Sequence, residues 1–357
     1  MSTIKVSKVE PVTSGGDCIV NATNIVGNKN LIHNGAFQIA QRGTSSTTSG
    51  YGTIDRWEHY HASAEEAPTY TQHALTSSDT GPWEKGFRYS AHIQNGNQTG
   101  GASGSDELYF FYKIESQDIS SSGWDYTSAS SYITLSFWVK TSVAQNYYGN
   151  VVSRDGTNQA YPFETGSLSA NTWTKIIKTI PGNSNIQIDN DNGQGLSLGI
   201  YAFNGTSYTA SGVTLNQWGT KDNAAAVPDM TTTIWTTDDA TFEVTGVQLE
   251  VGDTATAFEH RTYADDLAIC QRYYYQESSS SVQMNLNRSG GRRVANVPFP
   301  VTMRATPTVT ITTQFDDGGA TIAPDGANIY RVDFVQSSSN ASNDAPNVSA
   351  WNATADL

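Results

Sequence analysis

Apolar and polar residues alternate along this chain in short runs. Phe87, Tyr89, Ala91 and Ile93 form one such run, and Leu108, Phe110, Tyr112 and Ile114 a second. Ile133, Leu135, Phe137 and Val139 form a third, and Leu196, Leu198 and Ile200 a fourth. A period of two places successive side chains on opposite faces, and Gly, Ser and Asn separate the runs. Each run therefore predicts an antiparallel strand with one buried face. The 108–115 strand also carries Tyr109 and Phe111 on its other face, which predicts cover on both sides. Many such strands over residues 29–261 predict an antiparallel β-sandwich of the jelly-roll type.

Residues 245–276 organise the rest. Phe242 and Val244 share one phase of the alternation, and Val247 and Leu249 share the other. A phase change at Gly246 predicts a β-bulge or a sharp strand bend. Thr262 followed by Asp265 predicts a helix start, with Asp265 and Asp266 in the first turn where the dipole favours anions. Leu267, Cys270 and Tyr274 then make an apolar stripe. With Tyr273 they are the candidate contacts between copies of the chain.

The fold class is thus all-β: a sandwich over 29–261, a short helix and hinge over 262–290, and a smaller β domain over 291–357. In the last, Val309 and Ile311 alternate with Thr, and Tyr330, Val332 and Phe334 share a face. Asp317-Gly and Asp325-Gly are turn signals. Residues 1–28 are too few to fold alone. Two segments that cannot bury their own apolar surface, 1–28 and 262–276, predict association between chains.

Composition sharpens this picture. Charged residues are 15% and aromatic residues 11% of 357, and the formal net charge is −14. That balance disfavours nucleic acid, which needs a basic footprint. No apolar run is long enough for a membrane helix, and MSTIKVSKVEPV has no continuous apolar core, so neither membrane insertion nor a leader is expected. Cys18 and Cys270 fall in different modules and are expected to be free thiols.

Several motifs occur in order: NLIHNGAFQIAQRG (30–43), DRW (55–57), LSFWVK (135–140), GVQLEVG (246–252), TAFEHR (256–261) and CQRYY (270–274). The chain resembles bacteriophage tail-fibre and receptor-binding proteins with a carbohydrate-binding-module-like jelly roll, over roughly residues 29–276. PVTMRATPTVT (300–310) is similar to an element that follows CQRYY there, and MSTIKV is similar to the start of marine phage fibre proteins. The resemblance implies a virion protein of the phage tail, a homotrimer that meets other tail proteins through residues 1–28 and host surface polysaccharide elsewhere. Such modules often hold calcium through carboxylates between their first and last strands. Gln38 and Gln248 stand at the corresponding places, so no metal is expected, and no cofactor either.

A saccharide site wants a flat aromatic ring beside amide or carboxylate groups. The candidates among turn residues are Trp124, Tyr126, Tyr147, Tyr148, Tyr161 and Trp218, each of which could instead pack under a loop or at an interface between chains. Trp57, Trp138 and Trp173 read as core or sheet packing. His59 and His61 share a strand face without a third ligand and read as surface histidines. Residues 189–193, DNDNG, read as a turn. The acid pairs Glu65-Glu66, Asp238-Asp239 and Asp316-Asp317 place neighbours on opposite faces, unlike a glycosidase pair. An enzyme is not expected. An architectural fibre or spike without glycan affinity, and a polysaccharide depolymerase, are the competing readings.

Overall fold

A computed structural model describes residues 29–278, 282–283, 285–286, 292–315, 322–337 and 347–357. The attachment segment 1–28, Cys18, and the Asp316-Asp317 and Asp317-Gly positions lie outside the described residues.

The sandwich is built from β1 (Ser45–Ser46), β2 (Trp57–Ala62), β3 (Thr69–Ala74), β4 (Tyr89–Gln94), β5 (Glu107–Glu115), β6 (Tyr132–Thr141), β7 (Asn146–Ser153), β8 (Gln159–Ser167), β9 (Thr174–Pro181), β10 (Gln194–Asn204), β11 (Gly219–Thr220) and β12 (Thr241–Val251). They form two six-stranded sheets, β1-β3-β4-β12-β6-β9 and β11-β8-β7-β10-β5-β2, antiparallel at every pairing. The alternating apolar positions point between the sheets: Leu108, Phe110, Tyr112 and Ile114 from β5 meet Ile133, Leu135, Phe137 and Val139 from β6 in one core. Trp57 sits at its centre, 5.0 Å from Phe37 and 4.9 Å from Tyr112 by ring centroids.

The phase change in β12 is a bulge. Its register on β6 shifts between Thr245 and Gln248, which lets Phe242, Val244, Val247 and Leu249 all stay buried. Gly246 takes φ +63°, and a Cβ there would lie 2.5 Å from the Phe87 ring. Only glycine satisfies both conditions.

The predicted helix is α3 (Tyr263–Gln271), after the short α1 (Ser116–Ser120) and α2 (Thr233–Thr236). Thr262 caps α3 by accepting from Asp265 N, as its sequence predicts. The chain then enters β13 (Tyr274–Glu277), β14 (Val282–Gln283), β15 (Asn285–Leu286), β16 (Arg292–Pro298), β17 (Thr308–Phe315), β18 (Ile322–Asp325), β19 (Arg331–Ser337) and β20 (Asn347–Thr354). Strand β20 pairs with β13, β14 and β17, and β15-β16-β19-β18 form a second sheet. The 277–290 segment expected as a hinge therefore supplies strands to the C-terminal domain. Trp351 centres that domain's core, with Val332 and Phe334 fully buried. Tyr330 does not share their face: it precedes β19 and is 63% exposed.

Three of the four residues assigned to contacts between copies are covered within the chain, which corrects that assignment for Cys270, Tyr273 and Tyr274. Cys270, Tyr273 and Tyr274 are buried, and Leu267 is half-buried. Arg56 lies flat on Tyr273, 3.4 Å from its ring centre, and Arg42 lies 3.6 Å from that of Tyr274. The Tyr273 hydroxyl donates to the fully buried Glu115, which also receives Arg272 at 2.8 Å and stands 3.6 Å from Arg304. Arg42 pairs with Asp356, and the carbonyl of Leu357 accepts from Lys113 at 2.7 Å. The sandwich and the C-terminal sheets thus share one buried, charged joint. Cys270 is a free buried thiol, and burial pushes its pKa up.

Candidate functional site

The outer face of the second sheet carries the candidate site. Cross-strand register places Tyr60 of β2 opposite Tyr109 of β5, Tyr109 opposite Tyr201 of β10, Tyr201 opposite Tyr148 of β7, and Tyr148 opposite Glu164 of β8. Four tyrosines therefore stand side by side across four neighbouring strands, a span of about 14 Å at the usual strand spacing. Their in-sequence neighbours face the core, so period two sends these rings outward. Tyr60 stacks on Tyr109 at 5.0 Å and 25°, and Tyr109 meets Tyr201 edge to face at 5.2 Å.

Gly199 and Asn150 set the tilt of Tyr201. The Tyr201 hydroxyl donates to Asn150 Oδ1 at 3.0 Å, which lays the ring along the sheet over Gly199. A Cβ on residue 199 would come within 2.7 Å of that hydroxyl oxygen. Glycine here is what permits a flat ring.

A cleft of about 310 Å³ opens beside the row. Its floor is Tyr109, Phe111, Asn150, Val152 and Tyr201, and Tyr208, Lys221 and Asn223 overhang from the 205–227 loop. That loop is tied down where Asn216 N donates to Pro162 O and Lys221 N to Asn158 O, both at 2.8 Å. Arg154 reaches in from the far side, donating to Ser197 Oγ at 2.8 Å with its guanidinium 5.6 Å from the Phe111 ring centre. Desolvation raises the Tyr60 and Tyr109 hydroxyls and pushes Tyr201 up to about 12, so these three remain donors at neutral pH. Burial also raises Glu107 and lowers Arg154 and Lys221. Apolar ring faces, hydroxyls, an amide and both signs of charge thus converge on one cleft, in which Tyr201 and Asn150 are buried and Tyr109 is half-buried. Among the cleft-lining residues Glu107 is the only carboxylate.

The residues proposed from sequence fall elsewhere, with one exception. Tyr148 belongs to the row. Trp124, Tyr147 and Tyr161 are core side chains with no open ring face; Tyr147 and Tyr161 lie within β7 and β8, on positions that point between the sheets. Tyr147, for example, donates to Val143 O at 2.9 Å inside the core. Trp218 is buried against Tyr161 and donates to Pro181 O at 2.6 Å, although one edge lines an adjacent hollow of about 390 Å³. Tyr126 is half-buried beside Trp124, away from the row. Sequence reasoning missed Tyr60, Tyr109 and Tyr201. Its expectation of a second covering layer over Tyr109 and Phe111 is corrected: both are half-buried and border the cleft.

His59 and His61 are not surface histidines. Both turn inward and stack on Tyr70, at 4.3 and 5.8 Å. Burial first, then the neighbouring His61 and Arg42, brings His59 down to about 3, so it is neutral. Among the described residues no cluster of three or more His, Cys, Asp or Glu is placed to hold a metal. Gln248 bonds Glu250 and accepts from Glu259 N, both at 2.8 Å, and Lys29 Nζ binds Ala257 O at 2.8 Å beside Glu250. The acid pair Glu65-Glu66 caps the 97–100 turn through Asn97 N, Thr99 Oγ1 and Gly100 N.

No protein-family model matches this chain, and no curated protein matches it. Solved structures similar to it include the enzymatically active domain of tailspike protein 4 from bacteriophage CBA120, at 11% identity and TM-score 0.31, covering 63% of this chain and 22% of that one. A putative sugar binding protein from Bacteroides thetaiotaomicron is similar at 11% identity and TM-score 0.32, over 62% of this chain and 100% of its own. The family 11 carbohydrate-binding module of Clostridium thermocellum, solved with a mixed-linked tetrasaccharide, is similar at 13% identity and TM-score 0.25, over 61% and 98%. The chain spans about a fifth of the tailspike's length.

Proposed function

We propose that this chain is a saccharide-binding protein and that the tyrosine face of the second sheet is its binding surface. The observation that carries this is the row Tyr60–Tyr109–Tyr201–Tyr148, aligned by strand register beside an open cleft. Each pyranose ring has an apolar face that stacks on an aromatic ring, while its hydroxyls need donors and acceptors at the edge. Asn150, Arg154, Glu107 and Lys221 supply that edge. Binding without hydrolysis is the reading the cleft supports, since glycoside hydrolysis uses two facing carboxylates and one lines it. Unchanged polysaccharide size after long incubation is the expected result; shortened chains would make the protein a depolymerase.

The motif resemblance adds the setting: a phage tail fibre or receptor-binding protein, attached to the particle through residues 1–28 and assembled as a homotrimer that adsorbs to host glycans. Because Cys270, Tyr273 and Tyr274 are spent within the chain, contacts between copies would use other surfaces. Mass photometry at micromolar concentration tests the assembly, and immunolabelling of intact particles tests the place. A glycan array with wild type and Tyr109→Ala tests the binding surface: loss of signal in the variant is expected, and equal signal overturns the assignment. Binding of wild type to no envelope glycan would favour a purely architectural fibre.

A further inference from the structure

The opposite face of the sandwich holds a second, larger cleft, of about 600 Å³. It lies over the β12 bulge, between the turn at Trp83–Lys85 and the 252–261 strap that carries the TAFEHR motif. The strap is held firmly. Glu250 accepts from Thr256 N at 2.8 Å, Gln248 accepts from Glu259 N at 2.8 Å, and His260 Nε2 bonds Lys85 O at 2.8 Å. Phe258 meets Phe87 edge to face at 4.8 Å, and Phe87 sits on Gly246. The bulge and the strap are therefore two halves of one wall.

Trp138 of β6 and Phe258, both half-buried, offer apolar ring surface to this cleft. Trp138 and Trp173 thus lie on the sandwich's outside, half-open, rather than in its core as Trp57 does. Every titratable group that lines the cleft is basic: Lys85, Lys175 and His260. No carboxylate lines it, in a chain with 34 acidic and 20 basic residues. Acids close to the cleft in sequence or on its sheet are engaged: Glu84 accepts from Gly81 N and Glu259 pairs with Arg261. Lys140 holds Asp79 at 3.0 Å and Glu243 at 2.9 Å, and Thr256 and Lys29 hold Glu250. Lys85 and Lys175 are exposed and form no ion pair among the described residues.

We infer that this cleft is a second saccharide site and that it takes a carboxylated sugar residue. The tryptophan and phenylalanine faces select a ring with an apolar side, and the two lysines select an anionic substituent at its edge. A strongly acidic protein repels acidic polysaccharide at long range, and this is a local surface where an anion meets opposite charge at contact distance. The site stands apart from the tyrosine face and does not depend on it.

The test is calorimetric titration of the full chain with a panel of oligouronates (glucuronate, galacturonate and mannuronate) and their methyl esters, which keep the ring and remove the charge. Wild type is expected to bind at least one acid about tenfold more tightly than its ester. The double variant Lys85→Gln/Lys175→Gln, changed only at exposed positions, is expected to lose that preference and keep its affinity for the ester. Tyr109→Ala is expected to retain the preference, because it alters the other sheet. Equal affinity for acid and ester, a preference that survives lysine removal, a preference lost in Tyr109→Ala, or no binding of any oligouronate would each overturn the inference. A Tyr109→Ala variant that also leaves neutral glycans bound would overturn the tyrosine-face proposal alone.

Discussion

The joint between the two modules and the tyrosine row on the second sheet are made from the same materials. In the joint, Arg56 is pressed flat on Tyr273 at 3.4 Å, and the Tyr273 hydroxyl is spent on Glu115. In the row, Tyr109 is half-buried at the edge of the cleft near Arg154, and Tyr201, itself buried, forms the floor beside it. Tyrosine and arginine thus act as mortar in one place and as a receptive surface in the other. The difference lies in what covers them. At the joint the C-terminal strand closes over the rings, with Ala355 N donating to Tyr273 O at 2.7 Å. Over the row, among the described residues, the 205–227 loop approaches and leaves a cleft.

That contrast can be broken experimentally. Glu115→Ala leaves Arg272, Arg304 and Tyr273 without their buried acceptor and is expected to cost about 3–5 kcal/mol of stability in chemical denaturation. Saccharide affinity per folded molecule should not change; a fall in affinity would join the two regions functionally. Asp55, also in the joint, gives a pH signature. Desolvation raises its carboxyl to about 6, against the lowering effect of its bonds with Gln41 and of Arg42. A raised folded-state value means the folded protein holds the proton more tightly than the unfolded chain. Its contribution is full below about pH 4 and is lost as pH rises through about 6, on the order of 2–3 kcal/mol. Carbon-13 titration of the Asp55 carboxyl should find its midpoint near 6; a midpoint near 4 would show the joint to be wetter than described.

Tyr109→Ala should weaken saccharide binding by about 2 kcal/mol, as removal of a central aromatic anchor does, with stability changed by less than about 1 kcal/mol. A stability loss larger than the affinity loss would make the row a packing feature like the joint. Gly199→Ala is the finest probe. Its methyl group would push the Tyr201 hydroxyl off Asn150 and tilt the ring, and about 1 kcal/mol of affinity should go with it. Unchanged affinity would show that the flat ring is not needed.

The joint was not read from the sequence, although its residues stand in conspicuous motifs. The motifs that carry the family resemblance, AQRG, DRW and CQRYY, converge on it: Gln41, Arg42, Asp55, Arg56, Arg272, Tyr273 and Tyr274 all meet there. Of these, only Tyr273 and Tyr274 received a role, contact between copies, because an apolar stripe reveals that a helix will be covered and not by what. The tyrosine row carried no comparable signal. Tyr60 sits between two histidines, and Tyr109 and Tyr201 lie inside apolar runs that already read as strands. Aromatics flanked by turn-type residues drew attention instead, but Trp124, Tyr147, Tyr161 and Trp218 bury their rings, because flanking Gly, Ser or Asn does not reveal which face of a strand or loop an aromatic occupies.

The residue order alone determined what period and local chemistry can determine: which runs are strands, where the register slips at Gly246, and that Thr262 starts a helix. Those properties depend on neighbours a few positions apart. The proposed binding surface depends on β2, β5, β10 and β7 lying side by side in one register, which brings residues 60, 109, 148 and 201 into line. Strand alternation states that each of these side chains leaves the core, and tertiary pairing alone decides that they leave it together.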